Sequence, residues 1–371
     1  YARAQLGRGD REAAHRWAEA ALAVARAVND GATEASALCS LAAAESLHRP
    51  IAGLALIDEA AAVVRNVVSS GLVVGRPAAR LSPEVEALAP QVLARAHHSG
   101  IAYSFNSESA RRRFVRFEQA GSFVKRYGYE RTTVASFRAF DRFITGDWPA
   151  GGSFEVPGDP DADVCVAWAQ LLEVIVAAAR TGPTDALLES ASSLARRASR
   201  QNESQWAVSW LSYDCLLHAW AGRTDVVRER GAAMLEIADR SSAPELSLVA
   251  LGRGFNTPVV ALALRGQRAR LMDVAQALEG VEGYGGDRDR VLSFASALDG
   301  DDAAAHQRSA SATAAFEQRG LAFTSAVDLW ALGQIAPLGE RWLGDVTKAR
   351  ELLEQIGAHW LSAALRGVTR A

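Results

Sequence analysis

The sequence is poor in several residues on which chemistry and partner choice depend. Lys125 and Lys348 are its only lysines, so 38 of the 40 basic residues are arginine. Neither lysine has glycine before it and serine or threonine after it, which excludes a Walker-type phosphate loop. The arginine bias, with heavy use of alanine, glycine and valine, points to a GC-rich genome more than to a function. The three cysteines, Cys39, Cys165 and Cys215, are odd in number and widely spaced. They fit neither a disulfide framework nor a zinc site, so a reducing cytoplasm is the expected location. No apolar run approaches the roughly 20 residues that a membrane helix needs, and the opening residues do not read as a signal peptide. A net charge of −3 gives no electrostatic reason to expect nucleic acid or an anionic membrane as partner. Alternating β-branched runs are almost absent, with only Leu72 to Val74 reading as briefly extended. The chain opens at Tyr1 with helix-like sequence already under way, which suggests a piece of a longer protein.

What is present is helical periodicity. From Arg11 to Val28, Ala14, Ala18, Ala21, Val24 and Val28 recur at three- and four-residue steps, the pattern of one buried helix face. Gly31 is expected to stop that helix, and Thr33 with Glu34 to begin the next. Gly/Asp turns follow at Gly9-Asp10, Gly146-Asp147, Gly182 to Asp185, Gly222 to Asp225, Gly266-Gln267, Gly300-Asp301 and Gly344-Asp345. From Gly146 the successive glycines lie 36, 40, 44, 34 and 44 residues apart. Each interval holds two helices and two turns, a glycine ending one helix and Asp or Thr capping the next. Periods of this length built from helix pairs read as a solenoid. With 371 residues, too many for one compact core, the expectation is an all-α α-solenoid of about eight helical hairpins. Loops are expected at Ser69 to Pro83 and at Trp148 to Asp161. The second would separate sub-arrays at residues 1–148 and 162–371, with 149–161 as the break.

Small residues after the turns carry a resemblance to a known family. Gly9 is followed by Ala14, Ala18 and Ala21, Gly300 by Ala305, Ser309 and Ala312, and Gly344 by Ala349, Leu353 and Ile356. This resembles degenerate tetratricopeptide repeats. After Gly222 the places are taken by Val227, Gly231 and Met234, a departure from the pattern. The stretch from Gly300-Asp301-Asp302 to Phe316-Glu317-Gln318-Arg319-Gly320, then Ala349 to Ala358, resembles the end of the helical-repeat region in large bacterial signalling ATPases. These include LuxR-type transcriptional regulators of the MalT-like class and related proteins with an adenylate-cyclase head. The resemblance implies an array that follows a nucleotide-binding domain and, in the regulators, precedes a DNA-binding helix-turn-helix.

Candidate chemistry is sparse. Gly252-Arg253-Gly254 lacks a third glycine at the dinucleotide spacing. The histidines are His15, His48, His97, His98, His218, His306 and His359. They form no metallohydrolase pair, and His97 and His98 point in different directions on a helix. Asp159, Asp161 and Asp163 superficially suggest a calcium loop, but Val164 stands at the sixth position and Gln170 at the twelfth. A loop followed by a helix N-cap is the simpler reading. No nucleophile–base pair can be placed, so neither a metal, a cofactor nor an enzymatic activity is expected.

Two constellations are candidates for partner contact. Arg111, Arg112, Arg113 and Arg116, with Lys125 and Arg126, lie among Phe114, Phe117, Phe123, Tyr127 and Tyr129. Such interleaving can grip single-stranded nucleic acid, but the chain has no basic excess. A contact patch for protein at Arg112, Arg113 and Arg116, or a solvated helix face, fits better. Trp206, Trp210, Tyr213, Leu217 and Trp220 share one helix face at steps of 4, 3, 4 and 3. Trp168 opens a comparable helix with Leu171, Leu172 and Ile175. This stripe is either the seam between hairpins or a concave surface where Trp168, Trp206, Trp210, Tyr213 and Trp220 hold a partner or effector. The expected function is a non-catalytic sensing or interaction segment of a bacterial regulator. It would bind a protein partner, other domains of the same longer chain or a small-molecule effector, without direct nucleic-acid or membrane contact. The competing class is a free-standing scaffold.

Overall fold

The computed structural model describes residues 11–46, 49–69, 83–127, 131–161, 163–199, 204–240, 248–249, 251–253 and 257–368. The interruption expected at Ser69 to Pro83, the extended Leu72 to Val74 and the turn at Gly9-Asp10 lie outside them, apart from Ser69 and Pro83 themselves. Among the described residues there are seventeen α-helices and no strand. The chain divides into two compact units, Tyr1–Phe137 and Arg138–Ala371.

The first unit holds α1 (Arg11–Val28), α2 (Gly31–Glu45), α3 (Pro50–Ser69), α4 (Pro83–Ser107), α5 (Ala110–Tyr127) and the start of α6 (Arg131–Thr145). Each of α1 to α4 packs on the next, and α2 also reaches α4. Leu38, Cys39, Ala42, Ile57, Ala60, Val64, Leu93 and Ala96 form the core between them. The face expected on α1 is half right. Ala14 and Ala18 are buried, but the stripe continues through Leu22 to Ala25, leaving Val24 and Val28 63% and 66% exposed. Both series step by three and four, and only contact with α2 decides which one faces inward. The stop after α1 is Asn29 rather than Gly31, with φ 57°. Asp30 then caps α2, its carboxylate accepting from the Thr33 amide at 3.0 Å.

The second unit contains the rest of α6 and α7 (Val164–Thr181), α8 (Asp185–Ser199), α9 (Ser204–Trp220), α10 (Thr224–Asp239), α11 (Pro258–Leu264), α12 (Arg268–Ala277), α13 (Gly285–Leu298), α14 (Asp302–Arg319), α15 (Ala322–Ile335), α16 (Leu343–Gln355) and α17 (His359–Arg366). The odd-numbered helices from α7 onward touch in succession, and α17 returns onto α7. The even-numbered helices from α8 to α16 lie outside, each bridging two inner ones. An array in which each hairpin met only its neighbours would not bring α17 onto α7. The layers explain the sequence of each helix. Inner α15 is buried at every position from Phe323 to Leu332. Outer α10 buries one stripe, Val227, Gly231, Met234 and Ala238, and outer α14 buries Ala305, Ser309, Ala312, Phe316 and Arg319.

Gly146, Gly182, Gly222, Gly266 and Gly300 all have positive φ at helix ends, as the turn pattern requires. Gly344 instead lies inside α16, after a 3-10 turn at Glu340–Trp342. At Gly182 the demand is double. Its φ is 96°, and a Cβ there would sit 2.9 Å from the Trp360 ring.

The loop at residues 149–161 is no break, because it is bound to the second unit. The Glu173 carboxylate accepts from the Phe154 amide at 2.7 Å and the Ser153 hydroxyl at 2.9 Å. Arg180 donates to the Pro149 carbonyl at 3.0 Å, and Arg197 pairs with Asp161 at 2.7 Å. The only described helix long and apolar enough to cross a membrane is α7, which the absence of long apolar runs did not anticipate. Its Trp168, Leu171, Leu172, Ile175 and Val176 are core residues.

Candidate functional site

The aromatic stripe is interior. Trp210 is 0% exposed, and Trp168, Tyr213 and Trp220 are buried with it. Trp168 packs against Phe140 at 4.8 Å between ring centroids, and Tyr213 meets Phe143 edge-on at 6.0 Å. Trp220 lies against Trp330 at 6.3 Å and Trp360 at 5.7 Å. Trp206 lies on α9, but its side chain is outside the described residues. Among the described residues the stripe joins the inner helices and offers no surface to a ligand, so the concave-surface reading is withdrawn for Trp168, Trp210, Tyr213 and Trp220. A period-matched face does not reveal whether its other side is protein or solvent.

The arginine patch divides. Arg113 is 0% exposed, donates to the Glu108 carbonyl at 2.8 Å and lies over the Phe105 ring at 5.3 Å. Arg116 of α5 ties α3 to the turn between α4 and α5. It contacts Glu108 at 2.7 and 2.9 Å, and Asp58 on α3 at 2.6 and 3.0 Å. Burial pulls its pKa down, but these two carboxylates more than reverse that and raise it. Of the three proposed contact residues only Arg112 faces solvent. The side chains of Phe123, Lys125, Arg126 and Tyr127, and the whole of Tyr129, lie outside the described residues.

Other motifs resolve into structure. Asp163 caps α7, accepting from the Cys165 amide at 2.8 Å, while Asp159 accepts from the Asp161 amide at 2.8 Å. A Cβ on Gly252 would stand 2.6 Å from Leu278, so close helix packing requires that glycine. His98 packs edge-on against Phe137 at 5.4 Å. No group of three or more metal-ligating side chains occurs among the described residues.

Sequence reading missed two buried polar arrangements in the second unit. The Ser192 hydroxyl donates to Asp214 at 2.7 Å and lies 3.1 Å from His218 Nε2. Arg230 approaches the other Asp214 oxygen at 3.3 Å. Burial pushes the Asp214 carboxyl up, opposed first by its bond from Ser192, and pushes His218 down. The residue types match a catalytic triad, but the roles do not. The serine hydrogen points at the carboxylate, and all three side chains are buried. Elsewhere Arg290 holds Asp328 by two bonds of 2.7 Å, and Arg319 meets Asp287 at 2.9 Å. The i, i+4 spacing of Asp214 and His218 was legible, whereas their partners on other helices were not.

An open concavity lies in the first unit. His15 and Glu19 of α1, Leu41 and Glu45 of α2, and Ala52, Ala55, Leu56 and Glu59 of α3 line a groove of about 380 Å³, with Arg49 at its edge. Leu41, Ala52, Ala55 and Leu56 make an apolar floor. Glu19, Glu45 and Glu59 set three carboxylates around it. Basic side chains of the chain itself stand beside them. His15 lies 3.0 Å from Glu45 and 3.4 Å from Glu19, Arg49 is 3.6 Å from Glu45, and Arg26 meets Glu59 at 2.6 Å. Ion pairs this exposed contribute about 0–1 kcal/mol each and exchange readily.

No family model, curated protein or solved structure matches this chain.

Proposed function

We propose that this chain is a non-catalytic interaction segment of a bacterial signalling or transcriptional regulator. In this reading it is a tetratricopeptide-like array whose first unit receives a protein partner and whose second unit is a rigid support. The observation that carries the proposal is the contrast between the groove of α1 to α3, open and lined by polar and apolar groups together, and the buried aromatic stripe of the second unit. Grooves between helices with a few converging polar groups are common binding sites. A partner that bound one state of the longer protein more tightly than another would shift its equilibrium. The segment would work in the cytoplasm, without cofactor and without direct contact to nucleic acid or membrane.

The test is site-specific photo-crosslinking in the producing cell. A crosslinking side chain at Ala55 should trap one defined protein, or another domain of the same longer chain, while one at the exposed Met272 in the second unit should trap none. Crosslinks from Met272 with none from Ala55 would overturn the assignment of the groove. A free-standing scaffold would also give a protein adduct at Ala55, but with no neighbouring domain encoded in the same reading frame.

A further inference from the structure

Resting on that reading, we infer that the groove of the first unit takes an amphipathic helix of a partner protein whose flanks carry arginine or lysine. Charge complementarity is the first argument. Glu19, Glu45 and Glu59 border the groove, while Arg49 is the one arginine lining it. The positions of Arg26 and Arg49 mark where incoming cations would sit, since each already stands beside one of these carboxylates. Arg49 is 66% exposed, so a partner's guanidinium can replace it at Glu45 without unpacking the core. The same carboxylates repel phosphate, which disfavours nucleic acid and anionic lipid.

The floor is the second argument. Ala52 and Ala55 are small, allowing a helix to approach within the ordinary interaxial distance of about 8–10 Å. Ile51, 48% exposed and one turn before Ala55, extends the apolar strip beyond the groove. An occupant with small apolar residues at i, i+3, i+4 and i+7 would cover this strip. Its basic residues would then fall on either side. An extended peptide has no strand edge to join among the described residues, since all of their regular structure is helical.

Fluorescence anisotropy with the full chain tests this, using two labelled helical peptides of about 18 residues, or five turns. Both carry the same Leu/Ala face, one with arginine flanks and one with glutamate flanks. The arginine peptide should bind, and its Kd should weaken by about tenfold or more between about 50 mM and 500 mM salt. The double variant Glu45→Gln, Glu59→Gln should lose about tenfold in affinity with an unchanged melting temperature. Ala55→Trp, at an exposed position, should block binding by filling the floor. Equal or tighter binding of the glutamate peptide, or wild-type affinity in the double glutamine variant, would sink the basic-helix assignment. If Ala55→Trp still blocked a peptide in that case, the groove would stand and only the charge of its occupant would be wrong. Failure of both peptides to bind overturns the occupant, and a lack of crosslinking from Ala55 separately overturns the groove.

Discussion

The two units use similar helices to opposite ends. In the first, successive helices pack in a row, and the flanking helices α1 and α3 leave a groove over α2. In the second, the inner helices close on themselves, and aromatic rings such as Phe143, Tyr213 and Phe323 fill the space between them. The composition follows this division. Eight of the nine tryptophans lie after residue 138, and Trp17 alone lies before it. Closure removes surface from water and lets large side chains stabilise the fold. An open row leaves surface for a partner. Aromatic density in a helical array thus marks where it is sealed, not where it binds.

The sharpest way to break this comparison is Trp210→Ala. A fully buried tryptophan should cost about 3–5 kcal/mol when truncated. Urea unfolding followed by tryptophan fluorescence reports it, because the second unit holds nearly all the fluorophores. A variant as stable as wild type would put the stripe back on the surface.

The first unit should instead be sensitive to acid. Burial, then Arg65 and Arg116, hold His97 down at about 4, against 6.5 for the exposed imidazole. Below pH 6.5 the unfolded chain therefore binds a proton that the folded chain refuses. The stability is present above pH 6.5 and is lost as pH falls toward 4, by about 3 kcal/mol at the limit. Hydrogen exchange in α4, corrected for its intrinsic pH dependence, should show this, and His97→Gln should flatten it. A His97→Gln variant with the same acid response would move the effect to another group.

Arg116→Ala should destabilise the first unit by about 1–3 kcal/mol, since it releases Asp58 and Glu108 together. Loss of exchange protection in α3 and α5, with the second unit unaffected, is the expected pattern. Arg112→Ala, on the solvent side of the same helix, should change stability by less than about 0.5 kcal/mol. If these two neighbours behaved alike in thermal unfolding, the division of the arginine patch into clamp and surface would be wrong.

Much of the fold was legible. The glycines at 182, 222, 266 and 300 do end helices, and Asp163 and Asp301 cap α7 and α14, whereas the helices after Gly222 and Gly266 have no side-chain cap. Ala305, Ser309 and Ala312 face inward as their spacing implied. The site was far less legible. His15, Glu45 and Glu59 belong to three helices, and no motif links them. Arg113 and Arg116 looked like surface because charge is usually solvated, yet both were drawn inward by Glu108.

The sequence by itself determined much of the local geometry: the helix stops at Gly182, Gly222, Gly266 and Gly300 and the caps at Asp163 and Asp301. These depend on φ, on hydrogen bonds to nearby amides and on a three-to-four residue period, all contained in a few neighbouring residues. The tertiary structure decided the rest. Whether α1 buries Val24 or Ala25, whether α17 meets α7, and whether a tryptophan face is core or groove are set by the rotation of each hairpin against the next. That rotation is the sum of many weak contacts between residues far apart in the chain, and no single residue carries it.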